Sequence, residues 1–334
     1  MSNKVFIKTA TQISIQQPLS EKWMECPAIY DEPYTRSIEP NFRDWMGLME
    51  SRRMGKILKR ALVTATKAMD DAAVPQPDAI ITGTGLGCIE NTEVLLQQLF
   101  NEGEEMLKPT CFMQSTHNTI SSLISINRKC HGYNSTYSHK SVSFESALMD
   151  AFLQIRLGDI QTALVTGNDE MTPSYFKILQ RTGFLGQAGQ VTAGEASAAM
   201  VLTTTPTDAL CMLKDVRISY KMPQLDSLPK DVDAIMVGTN GCENNDRVYK
   251  QLAELCPKVP LLHYKHIFGE SYTASALGIY ASAHILKRGE APAFMRCEQC
   301  DRPLPVSRLL FVNHSDGKCF SYVLMSSINN EQAI

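Results

Sequence analysis

One stretch of this chain places a reactive side chain where a fold can use it. It runs from Gly132 to Thr172, GYNSTYSHKSVSFESALMDAFLQIRLGDIQTALVTGNDEMT. Asn134 to His139 form an extended, hydroxyl-rich run. Phe144, Leu148, Phe152 and Ile155 then recur at helical spacing until Gly158-Asp159 closes the helix. Ser141 stands at the joint, where helix amides point outward and the helix dipole favours developing negative charge. A hydroxyl attacks a thioester or ester only with a base beside it, since the dipole contributes at most ~2 kcal/mol, too little to ionise an alcohol. His139, two residues back, shares a face with Ser141 if the strand continues that far, and Lys140 points away. Two roles follow for His139: the base of a Ser-His pair, or hydrogen-bonded filling of the site.

Other chemically suggestive groups carry less. Gly83-Thr-Gly-Leu-Gly87 is a glycine-rich turn between strand and helix, but its spacing is G-x-G-x-G and no acidic residue ends a second strand, so no nucleotide cofactor is expected. Cys297-Glu-Gln-Cys300 is a single C-x-x-C without a second pair, read as structural rather than as a metal site. His117, in the polar turn Gln114-Ser-Thr-His-Asn118, is expected to cap a helix running through Ile126. No cofactor and no metal are called for.

The elements that must hold these residues alternate between strand and helix patterns. Strands are predicted over residues 5–16, 78–82, 134–139, 162–166 and 199–203, with helices from Ser51 and over 91–100. After a polar break at 203–208 the rhythm repeats, with strands near 210–220, 234–237, 261–264, 309–313 and 319–325 and helices over 246–255 and 271–286. This is an α/β protein with central sheets, divided into residues 1–205 and 206–334. The helix from Ser51 carries Arg52, Arg53, Lys56, Lys59 and Arg60 in its first half, either a solvated face or a dock for an acidic partner. A net charge of −3 over 334 residues argues against nucleic acid. The absence of a long apolar run and of a signal-peptide core, together with ten scattered Cys, points to a cytoplasmic protein with no membrane anchor.

The central stretch resembles the β-ketoacyl synthases, the condensing enzymes of fatty-acid and polyketide synthesis. Their pattern is Gly-Pro, a short strand, Ala-Cys-Ser, a helix, Gly-Asp, and a strand ending in Gly-Gly-Ala-Glu. Gly132, Gly158-Asp159 and Glu170 match it, and the Cys falls on Ser141. The resemblance covers most of the chain, is strongest from Ile80 to Glu170, and is modest beyond Thr203. It implies the thiolase fold, five layers αβαβα built from two similar halves. It also implies two imidazoles beside the thiol. The first falls on Gly238 in Val237-Gly-Thr-Asn-Gly-Cys-Glu-Asn-Asn-Asp246. The second falls on Glu270 in Lys265-His-Ile-Phe-Gly-Glu270, which keeps the family's Lys at Lys265, with His266 beside it. The C-terminal Gly-Phe-Gly-Gly loop reads Asn313-His-Ser-Asp-Gly317.

With Ser141, Gly238 and Glu270 at the three catalytic positions, the resemblance points to a chain-length-factor-like homologue, of the kind found in aryl-polyene or flexirubin-type systems. Its partners would be an acyl carrier protein and either an active ketosynthase in a heterodimer or a second copy of itself. Glu270 is expected to repel malonyl groups. His117, Asn118, Ser121 and Ser122 are candidate acyl-tunnel positions, and Asn134 to Ser138 are expected at a dimer interface. The rival readings are an active acyltransferase using Ser141 or a re-sited centre, and a non-catalytic acyl-binding homodimer.

Overall fold

A computed structural model describes residues 2–104, 107, 109–221, 228–229, 231–298 and 301–328. The first half holds β1 (Val5–Ile13), α1 (Leu48–Ser51), α2 (Lys56–Asp71), β2 (Ala79–Gly83), α3 (Ile89–Glu102), α4 (Pro109–Gln114), α5 (Thr119–Arg128), β3 (Tyr133–Tyr137), α6 (Ser143–Leu157), β4 (Thr162–Asp169), α7 (Pro173–Arg181) and β5 (Ala196–Thr203). The second holds β6 (Cys211–Ser219), β7 (Ala234–Val237), α8 (Glu243–Leu255), β8 (Leu261–His263), α9 (Lys265–Phe268), α10 (Ala274–Arg288), β9 (Glu290–Ala291), β10 (Leu304–Pro305), β11 (Arg308–Ser315) and β12 (Cys319–Ser326).

Ten strands join in the order β3-β2-β4-β5-β1-β6-β12-β11-β7-β8. Taken outward from the junction, β1-β5-β4-β2-β3 and β6-β12-β11-β7-β8 have the same plan: within each half the first strand pairs the fifth, then come the fourth, second and third. The halves meet where β1 pairs antiparallel with β6 through Val5–Leu213, Phe6–Met212 and Ile7–Cys211.

Side-chain alternation along the strands builds the layers. Ala79 and Ile81 of β2, Ala163 and Val165 of β4, Ala234 and Met236 of β7, and Leu309 and Phe311 of β11 all face one core shared with α6 and α10. Their neighbours turn outward. Ile80, Leu164 and Val201 pack under α2 and α5, and Ile235, Val237 and Leu310 pack under α8. Helix α10 is buried from Ala274 through Leu286, as a helix apolar on every side must be. The result is outer helices, sheet, central helices, sheet and outer helix, the five-layered thiolase fold.

Three local readings change. The helix expected from Ser51 begins at Lys56, which leaves Arg52 and Arg53 ahead of it. Gln114 ends α4 rather than opening a helix, and α5 begins at Thr119 after a turn. Arg60 does not belong to a basic face. It is wholly buried on α2 and bonded to Glu195 and Glu39, because α2 packs that side onto the sheet.

Candidate active site

Ser141 sits in a single 3-10 turn, Lys140–Val142, between β3 and α6. Lys140 takes a left-handed φ of 48°, so the chain turns sharply there. The turn is tied down twice. Ser143 Oγ accepts from the His139 amide at 2.8 Å and donates to the Lys140 carbonyl at 2.6 Å, and Asn313 Nδ2 donates to the Ser141 carbonyl at 2.8 Å. The expected face shared by His139 and Ser141 does not form, because β3 ends at Tyr137 and the alternation stops before either residue. His139 Nδ1 lies instead 3.3 Å from Ser146 Oγ on α6. No base among the described residues hydrogen-bonds the Ser141 hydroxyl.

Ser141 opens on a cavity of about 780 Å³ with an apolar wall of Met171, Leu179, Leu185 and Tyr272 and a polar wall of Asn240, Lys265, Glu270 and His314. Lys265 Nζ is 2.7 Å from Glu270 Oε2, and Asn240 Nδ2 donates to the same oxygen at 2.7 Å. Both members of the ion pair are buried. Glu270 therefore does not present a bare negative charge to the cavity. The ammonium beside it offsets the repulsion expected from its sequence position.

Gly238 follows the last residue of β7, and the ends of two buried side chains crowd it. A Cβ there would lie 2.8 Å from Tyr249 Oη, 3.1 Å from Lys265 Cε and 3.3 Å from Lys265 Nζ. Tyr249 of α8 and Lys265 of α9 thus converge on the space a side chain at 238 would enter. The Tyr249 hydroxyl lies 3.3 Å from Asn313 Oδ1, and burial, reinforced by Glu270, holds it well above the usual phenol range. It is a proton holder rather than a base at neutral pH.

His314 stacks on Tyr249 with ring centroids 4.8 Å apart. Its Nδ1 accepts the Gly317 amide at 3.1 Å, and its Nε2 faces the Asn245 carbonyl at 3.1 Å, which fixes a neutral ring with the proton on Nε2. Burial, then the charge of Lys265, push it down to about 4. Both nitrogens are occupied by backbone, so the ring is set as structure. Beneath the turn, Glu145 is fully buried and accepts from Asn313 Nδ2 (2.7 Å), Ser275 Oγ (2.8 Å) and Ser321 Oγ (2.8 Å), and burial raises it above the ordinary carboxyl range. Asn313 is the common member, joining Ser141, Glu145 and Tyr249 across both halves.

The remaining candidates fall elsewhere. His266 stacks on His263 at 3.8 Å and is pushed down to about 3 by burial and by that neighbour, outside the cavity lining. His117 and Asn118 are exposed in the turn before α5, with His117 packed over Gly87 rather than capping the helix. Ser121 is fully buried with its Oγ 2.9 Å from Thr136 of β3, and Ser122, the next residue of α5, is partly exposed. Cys297 is exposed and its amide bonds to the Leu261 carbonyl, and Cys300 lies outside the described residues. Among the described residues no group of His, Cys, Asp or Glu is arranged to hold a metal ion, and no helix is long and apolar enough to cross a membrane.

Among solved structures the chain is similar over 98% of its length and all of theirs to the ishigamide ketosynthase/chain length factor (16% identity, TM-score 0.78). The same coverage holds for a β-ketoacyl synthase from Burkholderia phymatum STM815 (13%, 0.79). It holds also for AntDE:AntF, a type II PKS acyl-carrier protein in complex with its ketosynthase (12%, 0.79). At those identities the likeness is one of fold. Among curated proteins, 3-oxoacyl-[acyl-carrier-protein] synthase 2 of Staphylococcus aureus (strain N315) is 24% identical over 144 residues, 41% of this chain. The match spans only 34% of that relative's length. The family model for the N-terminal domain of β-ketoacyl synthases matches residues 21–235, which carry β2 to β6, the Ser141 turn and the central helix behind it. That is more than half the chain, and with the five-layered fold around the same turn it makes this protein a member of the β-ketoacyl synthase family.

Proposed function

We propose that this chain is a ketosynthase homologue that does not condense by itself and serves, in the manner of a chain length factor, as the companion of an active ketosynthase in fatty-acid or polyketide-type synthesis. The observation that carries this reading is the filling of the imidazole space. Gly238 admits Tyr249 and Lys265, and Glu270 is committed to Lys265 and Asn240. Condensation needs a thiolate to carry the acyl group and two neutral donors to hold the thioester oxygen as malonate decarboxylates. Ser141 without a base supplies no such nucleophile. We read the chain as two ketosynthase-like halves, 1–205 and 206–334, a division supported by the repeated strand order. Its partners would be an acyl carrier protein and a catalytically intact ketosynthase.

Intact-protein mass spectrometry tests the first part. Incubated with acyl- and malonyl-carrier thioesters, the protein should gain no acyl mass and release no carbon dioxide. A stable adduct lost in Ser141→Ala would replace this reading with that of an active acyltransferase.

A second reading, a non-catalytic acyl-binding homodimer, is favoured by one feature. β3 is an edge strand with Tyr133 and Asn134 exposed, and the helices packed against it expose Ile126, Leu153 and Leu157. An unpaired edge beside apolar surface is a template for another chain, and it serves a second copy as well as a hetero-partner.

A further inference from the structure

The charges around Arg60 do not close on themselves. Its Nη1 donates to Glu195 Oε2 at 2.7 Å, Ser37 Oγ at 2.7 Å and Glu39 Oε1 at 3.0 Å. Nε and Nη2 have no hydrogen-bond partner among the described residues, although the side chain is wholly buried. Glu170 Oε2 stands 4.0 Å from Nη2, too far for a hydrogen bond and too near to be unrelated. A guanidinium has donors on both edges, and a buried donor left idle is costly, so the arrangement is half of a two-sided clamp.

Glu170 has room to complete it. A small cavity of about 30 Å³, enough for one water, adjoins its carboxyl between Lys56, Thr172 and Glu195. The titratable and charged groups facing it come from every neighbouring element: Arg60 and Lys56 from α2, Arg36 from the segment before it, Cys88 and Glu90 from the start of α3, and Glu195 from the approach to β5. Its Oε1 accepts the Glu90 amide at 3.0 Å. Burial is the main cause that lifts Glu170 to about 7, with Arg60 opposing and Glu90 and Glu195 adding to it. The next residue, Met171, forms part of the wall of both this small cavity and the large one beside Ser141.

We propose that Glu170 is a proton-operated latch: neutral, it stands off Arg60 as described, and on losing its proton to solvent it closes the 4.0 Å gap onto Nη2 and carries Met171, a wall of the large cavity, with it. The two positions differ by one buried ion pair, the kind of two-state element that a change of charge can bias. Neighbouring Glu195 sets the balance, because it competes for the same guanidinium and repels the ionised form of Glu170.

The test is methyl NMR of the full chain labelled at the methionine methyls and titrated from about pH 5.5 to about 8.5, where neither ordinary carboxylates nor lysines change charge. Met171 is assigned by the signal lost in Met171→Leu. Its methyl should shift with a midpoint near neutrality in the wild type, stay fixed in Glu170→Gln, and titrate at lower pH in Glu195→Gln. A Met171 signal that is flat in the wild type, or that titrates unchanged in Glu170→Gln, overturns the latch. Should Glu170→Gln fail to fold, an unchanged midpoint in Glu195→Gln overturns it as well.

Discussion

At Gly238 a hydrogen atom in place of a side chain decides what the site can be. A Cβ there would meet Tyr249 Oη at 2.8 Å and the end of Lys265 at 3.1–3.3 Å, so one of those side chains must give way to admit it. Gly238→Ala should therefore overpack the site and cost about 1–3 kcal/mol. Gly238→Ala with Tyr249→Phe should recover part of that loss by removing the nearer oxygen. Urea unfolding of the two variants checks this, and equal stability of Gly238→Ala and wild type would mean that Tyr249 and Lys265 are free to move aside. Sequence reading found the positions Gly238, Glu270 and Lys265 but not what fills them. Tyr249 sits in the apolar stripe of α8 and looks like any core tyrosine. His314 stands in an altered loop that gives no sign of a ring pinned at both nitrogens. What these residues do depends on neighbours far away in the chain, Asn313 and Asn245 among them, which no local pattern specifies.

Among the elements, the turn from β3 into α6 and the helix α5 behind β3 carry the proposed function. The strand–turn–helix frame was legible because glycines mark its ends and the apolar stripe has a helical period. The stop of β3 at Tyr137 was not, because it is set by the tie from Asn313 and by the Ser143 bonds, and with it went the expected pairing of His139 with Ser141. Helix α5 likewise separates two candidates that sequence treats alike. Ser121 is locked against Thr136 in the core, and a bulky group there would unseat the helix. Ser122 is partly exposed, so it is the position at which a tunnel shared with a partner can be probed. In a complex reconstituted with a catalytically intact ketosynthase, Ser122→Phe should shorten the products while leaving the first condensation intact, since a blocked tunnel acts late. Product lengths read by mass spectrometry decide it, and unchanged lengths from an assembled complex would leave this helix a scaffold.

For the molecule as a whole, the alternation of strands and helices was enough to foresee an α/β protein, and the family resemblance supplied the five layers. The open edge of β3 lies beside exposed apolar residues of α5 and α6, and an exposed strand edge is a template for pairing. Light scattering at micromolar concentration should give twice the monomer mass for the protein alone, or the summed mass of the two chains with a ketosynthase partner, and a clean monomer in both conditions would remove β3 from any interface. The sheet has another consequence, for how the chain is made. Among the described residues β1 pairs with β5 and β6, and the partner of Ile13 is Ser197, more than 180 residues later in the sequence. At synthesis rates of about 5–20 residues per second, the first strand spends on the order of 10–40 s outside the ribosome before its mate exists. Val5, Phe6 and Ile7 lack their strand partners for all of that time. Until β5 arrives, the earliest cover of β1 is α2, to which Thr9 and Thr11 bond through the Ala68 and Thr64 carbonyls.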